Sequence, residues 1–194
     1  VLHEQSKDIS GNISALDTHM RNLNCDQHVI HVGPLIRREQ IYKNDLMEDR
    51  KRLFGALFHF TRKLPVSYIC AKVKKSECED VVELTTKLTK SISKVLRDHA
   101  EYFESFDKII VYYDNGQVEL TKILTTLFNA LLYNVEFRKV KPSDYKLFQV
   151  ADLVCTLELL IEKASTSSFT SSESEFFHSE RDFRREYYKY ISQK

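Results

Sequence analysis

Residues Ile109-Ile110-Val111-Tyr112-Tyr113 form an uninterrupted apolar run of strand length. A run without polar alternation reads as a central strand covered on both faces, which belongs in a sheet flanked by helices. Asp114-Asn115-Gly116 supplies a turn, and Leu120, Leu124, Leu127 and Leu131 then recur at helical spacing. Val135–Val140 is a second strand-like run, and a further helix is expected from about Tyr145 to Lys163, after Pro142. Strand and helix in alternation predict an α/β fold. Four glycines and three prolines leave little material for a loop-rich alternative.

Upstream, Ile13, Leu16, Met20 and Leu23 predict a helix over 9–23, and 24–45 reads as a loop or short strand. Leu53, Phe54, Leu57 and Phe58 predict a helix over 46–64, closed by Pro65. Val66–Val73 (VSYICAKV) is β-branched and aromatic, so it is expected as a strand. Ser76 with Glu79 has capping-box spacing and is expected to open a long helix reaching Tyr102. The serine-rich stretch 164–174 is expected as a flexible loop, and 180–191 as a C-terminal helix. At 194 residues, the chain is expected to be a single domain over 1–194.

A formal charge of +1, from 29 basic and 28 acidic residues, leaves nucleic-acid binding to local patches. Arg138-Lys139-Val140-Lys141 with Lys146 beyond it is one such stretch. Arg184, Arg185 and Lys189 among the aromatics of the C-terminal helix form another, which reads rather as an amphipathic helix that docks its aromatics and solvates its charges. Cys25, Cys70, Cys78 and Cys155 show no Cys-x-x-Cys pairing. Cys70 and Cys155 lie in apolar runs and read as buried thiols, so a reducing, cytoplasmic setting is expected. No apolar window reaches bilayer-spanning length, and no membrane partner is expected. The oligomeric state is not legible. Zinc-ligand spacing, a phosphate-binding glycine loop and a Gly-x-Ser-x-Gly elbow are all absent.

The helix containing Gln149-Val150-Ala151-Asp152-Leu153 carries the candidate chemistry. On a helical wheel Val150, Leu153, Val154, Leu157, Leu160 and Ile161 form one apolar face, and Phe148, Cys155 and Leu159 form a second flank. Asp152 falls between them with Gln149 and Thr156. A carboxylate so placed needs a cation, a metal ion or a hydrogen-bond donor, and metal-binding and structural readings both stand. Asp114 follows the apolar strand, where ligand sites of open α/β sheets lie, although it also suits a helix cap. Two such acids acting together would need a divalent cation between them. His31 is a candidate ligand or proton shuttle.

These segments resemble the family catalogued as domain of unknown function 3800. The resemblance rests on Ile110–Gln117, on Gln149–Leu153, and on Phe176-Phe177 through Arg184-Arg185-Glu186-Tyr187, and it runs from about His31 onward. It implies an RNase H-like mixed sheet flanked by helices, and a nuclease using Mg²⁺ or Mn²⁺ to hydrolyse phosphodiesters. Asp114 and Asp152 would be metal-ligating acids with substrate-binding Gln149 alongside, and His31 would correspond to a family histidine. Apart from the resemblance, Lys141 and Lys146 of the basic stretch are expected to steer the phosphate backbone of the substrate. The family's opening strand ending in Asp-Glu-Ser-Gly has no counterpart here, so N-terminal strands are expected to be missing or truncated. The chain starts at Val1-Leu2-His3-Glu4, without Met, as if partway along a longer polypeptide. The other reading is a non-catalytic RNase H-like module that binds nucleic acid or a protein.

Overall fold

The computed structural model describes residues 1–25, 29–113 and 118–194. In chain order its elements are β1 (Leu2–His3), α1 (Ser10–Asn22), α2 (Val32–Arg37), α3 (Met47–Lys63), β2 (Val66–Ser67), α4 (Val81–Asp98) and α5 (Ala100–Glu104). They continue with β3 (Ile109–Tyr113), α6 (Val118–Leu131), β4 (Val135–Lys139), α7 (Lys146–Ser165), α8 (Ser171–Phe177), α9 (Glu180–Phe183) and α10 (Lys189–Ile191). The fold is therefore mixed helix and strand. The residues group into two compact units, one of Val1–Tyr68 with Tyr145–Lys194 and one of Ile69–Asp144.

The first unit is helical, apart from the two-residue antiparallel pair of β1 with β2. Its core joins Val32, Leu35 and Ile36 of α2, Phe54 and Leu57 of α3, and Val150, Leu153 and Leu157 of α7. The C-terminal segment closes it with Phe176, Phe177 and Phe183, each no more than 1% exposed. Phe177 stands edge-on to Phe54, Phe183 and Tyr187, at 5.7, 5.1 and 5.2 Å between ring centres. Such geometry aligns ring edges with ring faces and adds about 1 kcal/mol per pair beyond burial. Pro65 holds Leu64 extended (ψ 141°), which stops α3 where the sequence predicts.

The second unit is a β-α-β arrangement. β3 and β4 run parallel, in register from Ile109 opposite Val135 to Tyr113 opposite Lys139, and α6 is the crossover such pairing needs. α4 packs on α6. Phe103, Phe128 and Phe137 stand edge to face at 6.2 Å steps.

Several expectations change. The stretch 24–45, expected as a loop or short strand, contains α2, because Val32, Leu35 and Ile36 bury together at helical spacing. The strand expected over 66–73 shrinks to Val66–Ser67, because its partner strand is only Leu2–His3 and unpaired backbone has no ladder to join. The helix after Ser76 starts instead at Val81. Asp80 accepts from the Glu83 N–H at 2.7 Å, and the Glu83 carboxylate accepts from the Glu79 N–H at 2.6 Å. β3, expected as a strand covered on both faces, is half-buried at all five residues, and among the described residues β4 is its only strand partner. The C-terminal helix is present but includes a π-helical turn over Arg184–Tyr188.

Within the serine-rich stretch, 171–174 is helical. Thr170 and Glu173 form a reciprocal capping box, and the buried Glu173 carboxylate takes the Lys163 ammonium at 2.6 Å. Burial pushes the Glu173 carboxyl up, but the Lys163 ammonium and the Thr170 N–H outweigh it, and the net shift is below the ordinary 4.5. A depressed folded-state pKa stabilises the fold above the unfolded value, and this contribution fades as pH falls through the folded value. Wild type is therefore expected to melt above Glu173→Gln at pH 7, with the gap closing below about pH 4.5. A gap in melting temperature that is unchanged down to pH 3 would refute this.

Candidate functional site

α7 presents Gln149 and Asp152 one turn apart on the side facing the segment that leads into α2. Gln149 is 4% exposed, and its Oε1 accepts from the Ile30 N–H at 3.1 Å. Asp152 is half-buried, and its Oδ2 accepts from the Val32 N–H at 2.8 Å. The residue between them turns the other way: the His31 N–H donates to the Tyr42 hydroxyl at 3.0 Å, and His31 itself is exposed. Three successive N–H groups, from Ile30 to Val32, are thus taken by two side chains of α7 and one phenol. Buried Ile30 and Val32 pack inward on either side of exposed His31.

Val32 is the first helical residue of α2, so Asp152 sets a negative charge at that helix's N-terminus. Orphan N–H groups and the helix dipole both favour a carboxylate there. The opposite end carries the complementary charge. Arg50 of α3 is 2% exposed and donates from Nη1 to the carbonyls of Leu35 (2.8 Å) and Ile36 (3.0 Å). Arg38 ends α2 in the left-handed region (φ 60°). A six-residue helix is too short to persist alone, and here both termini are held by charged side chains from other elements.

Tyr42 is fully buried, and burial pushes its phenol up; the His31 N–H opposes that shift, and the Asp152 carboxylate adds to it. The group therefore remains a protonated hydroxyl at neutral pH. Further along α7, buried Glu158 accepts from the Tyr68 hydroxyl at 2.6 Å and the Tyr188 hydroxyl at 3.3 Å. None of Tyr42, Arg50 and Glu158 was singled out from the sequence. Arg50 left a trace: it shares a helical stripe with Leu53, Phe54 and Leu57, where a cation is out of place.

The residues expected at the site fare differently. The apolar face Val150, Leu153, Val154, Leu157 and Leu160 is buried as expected. The second flank is open: Cys155 is exposed and Leu159 is 54% exposed, so Cys155 is not the buried thiol its neighbours suggest. Cys70 is half-buried. α7 carries more apolar residues than its neighbours in this unit cover. Lys146 pairs with Asp17 of α1 at 3.0 Å. Lys141 is exposed. In the basic stretch, Arg138 is paired with Glu136, and that cation together with Lys108 brings the Glu136 carboxyl down to about 2. Asp114 lies outside the described residues.

Among the described residues no three His, Cys, Asp or Glu side chains cluster as metal ligands. Asp152 offers a carboxylate on a long helix, one oxygen oriented by a backbone donor and the other without a hydrogen bond among the described residues. Such an oxygen suits a hard divalent cation. No helix of the described residues is long and apolar enough to cross a membrane. No protein-family model matches the chain, and no curated protein or solved structure matches it either.

Proposed function

We propose that this chain is an RNase H-like domain acting in divalent-metal-dependent phosphodiester hydrolysis, with Asp152 as a metal-ligating acid. The observation that supports this is the state of Asp152. It sits half-buried on α7 with Oδ2 held by the Val32 N–H, so the carboxylate is oriented before any ligand arrives. Mg²⁺ or Mn²⁺, when bound, would activate water and stabilise the leaving oxygen. Tyr42 and Gln149 position the 30–32 backbone, which brings exposed His31 to the surface on the same short segment that Asp152 holds. His31 would serve as a ligand or proton shuttle there.

A second reading, a non-catalytic module binding nucleic acid or a protein, has its own support. Gln149 and Lys146, both expected beside the substrate, are committed to Ile30 and Asp17. In that reading Asp152 is a helix cap and nothing more.

Incubation with labelled single-stranded and duplex RNA and DNA in millimolar Mg²⁺ or Mn²⁺ separates the two. The nuclease reading expects cleavage that EDTA abolishes. It also expects a rise in melting temperature with either metal, since binding at 100 times Kd adds about 2.7 kcal/mol. Intact substrates and an unmoved melting temperature would leave the binding-module reading standing.

A further inference from the structure

In the second unit, α4 carries a basic stripe that the reading above does not use. Lys90, Lys94 and Arg97 stand at i, i+4 and i+7, on one side of the helix. All three are exposed, and they line a groove of about 440 Å³ together with Thr89, Ser93, Asp98 and Leu127 of α6. The groove has an apolar floor in half-buried Leu127 and a hydroxyl in Ser93, while the Thr89 hydroxyl donates to the Thr85 carbonyl at 2.8 Å.

Neutralisation within the stripe is slight. Lys94 meets Asp98 at 3.5 Å, in a pair exposed by 79% and 55%, which solvent screens to little. Lys90 and Arg97 have no ion-pair partner among the described residues, unlike Lys87 on the same helix, which is held by Glu83 at 2.9 Å. Residues 69–144 contain as many acidic as basic side chains, so this patch stands out against a neutral unit. The backbone below it is firm, because Ile92 and Leu96 bury the opposite side of α4.

We infer that this groove binds the phosphate backbone of a nucleic acid. From Lys90 to Arg97 the helix rises about 10 Å. A strand with one phosphate per about 3.4 Å of axis offers about three phosphates over that length, one for each cation. Cations flanked by hydroxyls are the usual backbone contacts, and they carry no sequence preference. An acidic protein segment would meet the same charges, and competition with polyglutamate tells it from a nucleic acid.

This inference rests on the nucleic-acid part of the reading above and not on its metal chemistry. The test is therefore run on the full chain in EDTA, where no cleavage occurs. Fluorescence anisotropy of labelled 20-nucleotide single strands and duplexes of unrelated sequence is followed from 50 to 200 mM salt. Wild type is expected to bind all of them, with affinity falling steeply as salt rises. The double variant Lys90→Ala/Arg97→Ala should weaken binding equally across sequences and lower the log–log salt slope by about 2. Lys74→Ala/Lys122→Ala, which removes two exposed lysines of the same unit outside the groove, should leave the slope unchanged. No binding by wild type, or equal slopes for the two double variants, would overturn the inference. Displacement by polyglutamate as readily as by unlabelled oligonucleotide would overturn it too, in favour of an acidic protein partner. If wild type binds as expected but Mn²⁺ brings no cleavage, the nuclease reading fails while the groove stands.

Discussion

Arg50→Ala is expected to destabilise the first unit by about 3 to 4 kcal/mol, read from the urea midpoint. Arg50 is 2% exposed, and one guanidinium nitrogen serves two carbonyls at the end of α2, with the ring of Phe176 centred 5.8 Å from its charge. Hydrogen bonds to charged groups contribute about 1.5 to 3 kcal/mol each, and their loss would strand two carbonyls away from water. Burial pushes the guanidinium below the usual arginine range, with Arg38 adding to it, yet an arginine stays charged. Its Nε finds no partner among the described residues, a cost already present in wild type that softens the loss. Arg50→Met separates the causes, since it fills the space and donates nothing. Met as costly as Ala assigns the loss to hydrogen bonding. A change below about 1 kcal/mol in both would refute the role given to Arg50.

Asp152→Asn and Asp152→Ala are expected to diverge in stability and agree in chemistry. Asn keeps an oxygen for the Val32 N–H and loses the charge at the N-terminus of α2, a difference of about 0.3 to 1 kcal/mol. Ala removes both and leaves the donor unpaired, at about 2 kcal/mol. If Asp152 is a metal ligand, both variants lose the metal-induced rise in melting temperature. Each should then cleave on the order of a thousandfold more slowly, since the several kcal/mol a metal supplies convert at about 1.4 kcal/mol per tenfold. Cleavage by Asp152→Asn at the wild-type rate would sink the ligand assignment and leave the helix cap. Equal stability of the two variants would sink the cap.

These outcomes bear on how much the sequence could tell. The residues of α7 were legible because a 3.6-residue period sorts apolar from polar positions without reference to anything else, and Val150, Leu153 and Leu157 are buried as that period demands. The β3-α6-β4 run was legible for the same local reason: two apolar stretches of strand length separated by helical spacing admit few other arrangements. Local signals also failed in a consistent way. Val66–Val73 has every propensity for a strand and lacks a partner long enough to pair with it. Glu173, read as part of a flexible serine-rich stretch, is buried at 1% exposure because Lys163 reaches it from α7.

Asp152 shows where the boundary falls. Its wheel position alone required that its carboxylate find a partner, because polar groups near an apolar face must be satisfied. Which partner it finds, the Val32 N–H, depends on a contact 120 residues away in sequence, and no local pattern encodes that. The same holds for Gln149 with Ile30 and for Arg50 with Leu35 and Ile36. Periodicity, caps and charge spacing act within a few residues, so the chain alone determined its longer helices, the strands β3 and β4 and the position of its unusual acid. Long-range hydrogen bonds to backbone arise only when elements pack, so the tertiary structure alone decided that this acid holds the start of a short helix whose other end is held by a buried arginine.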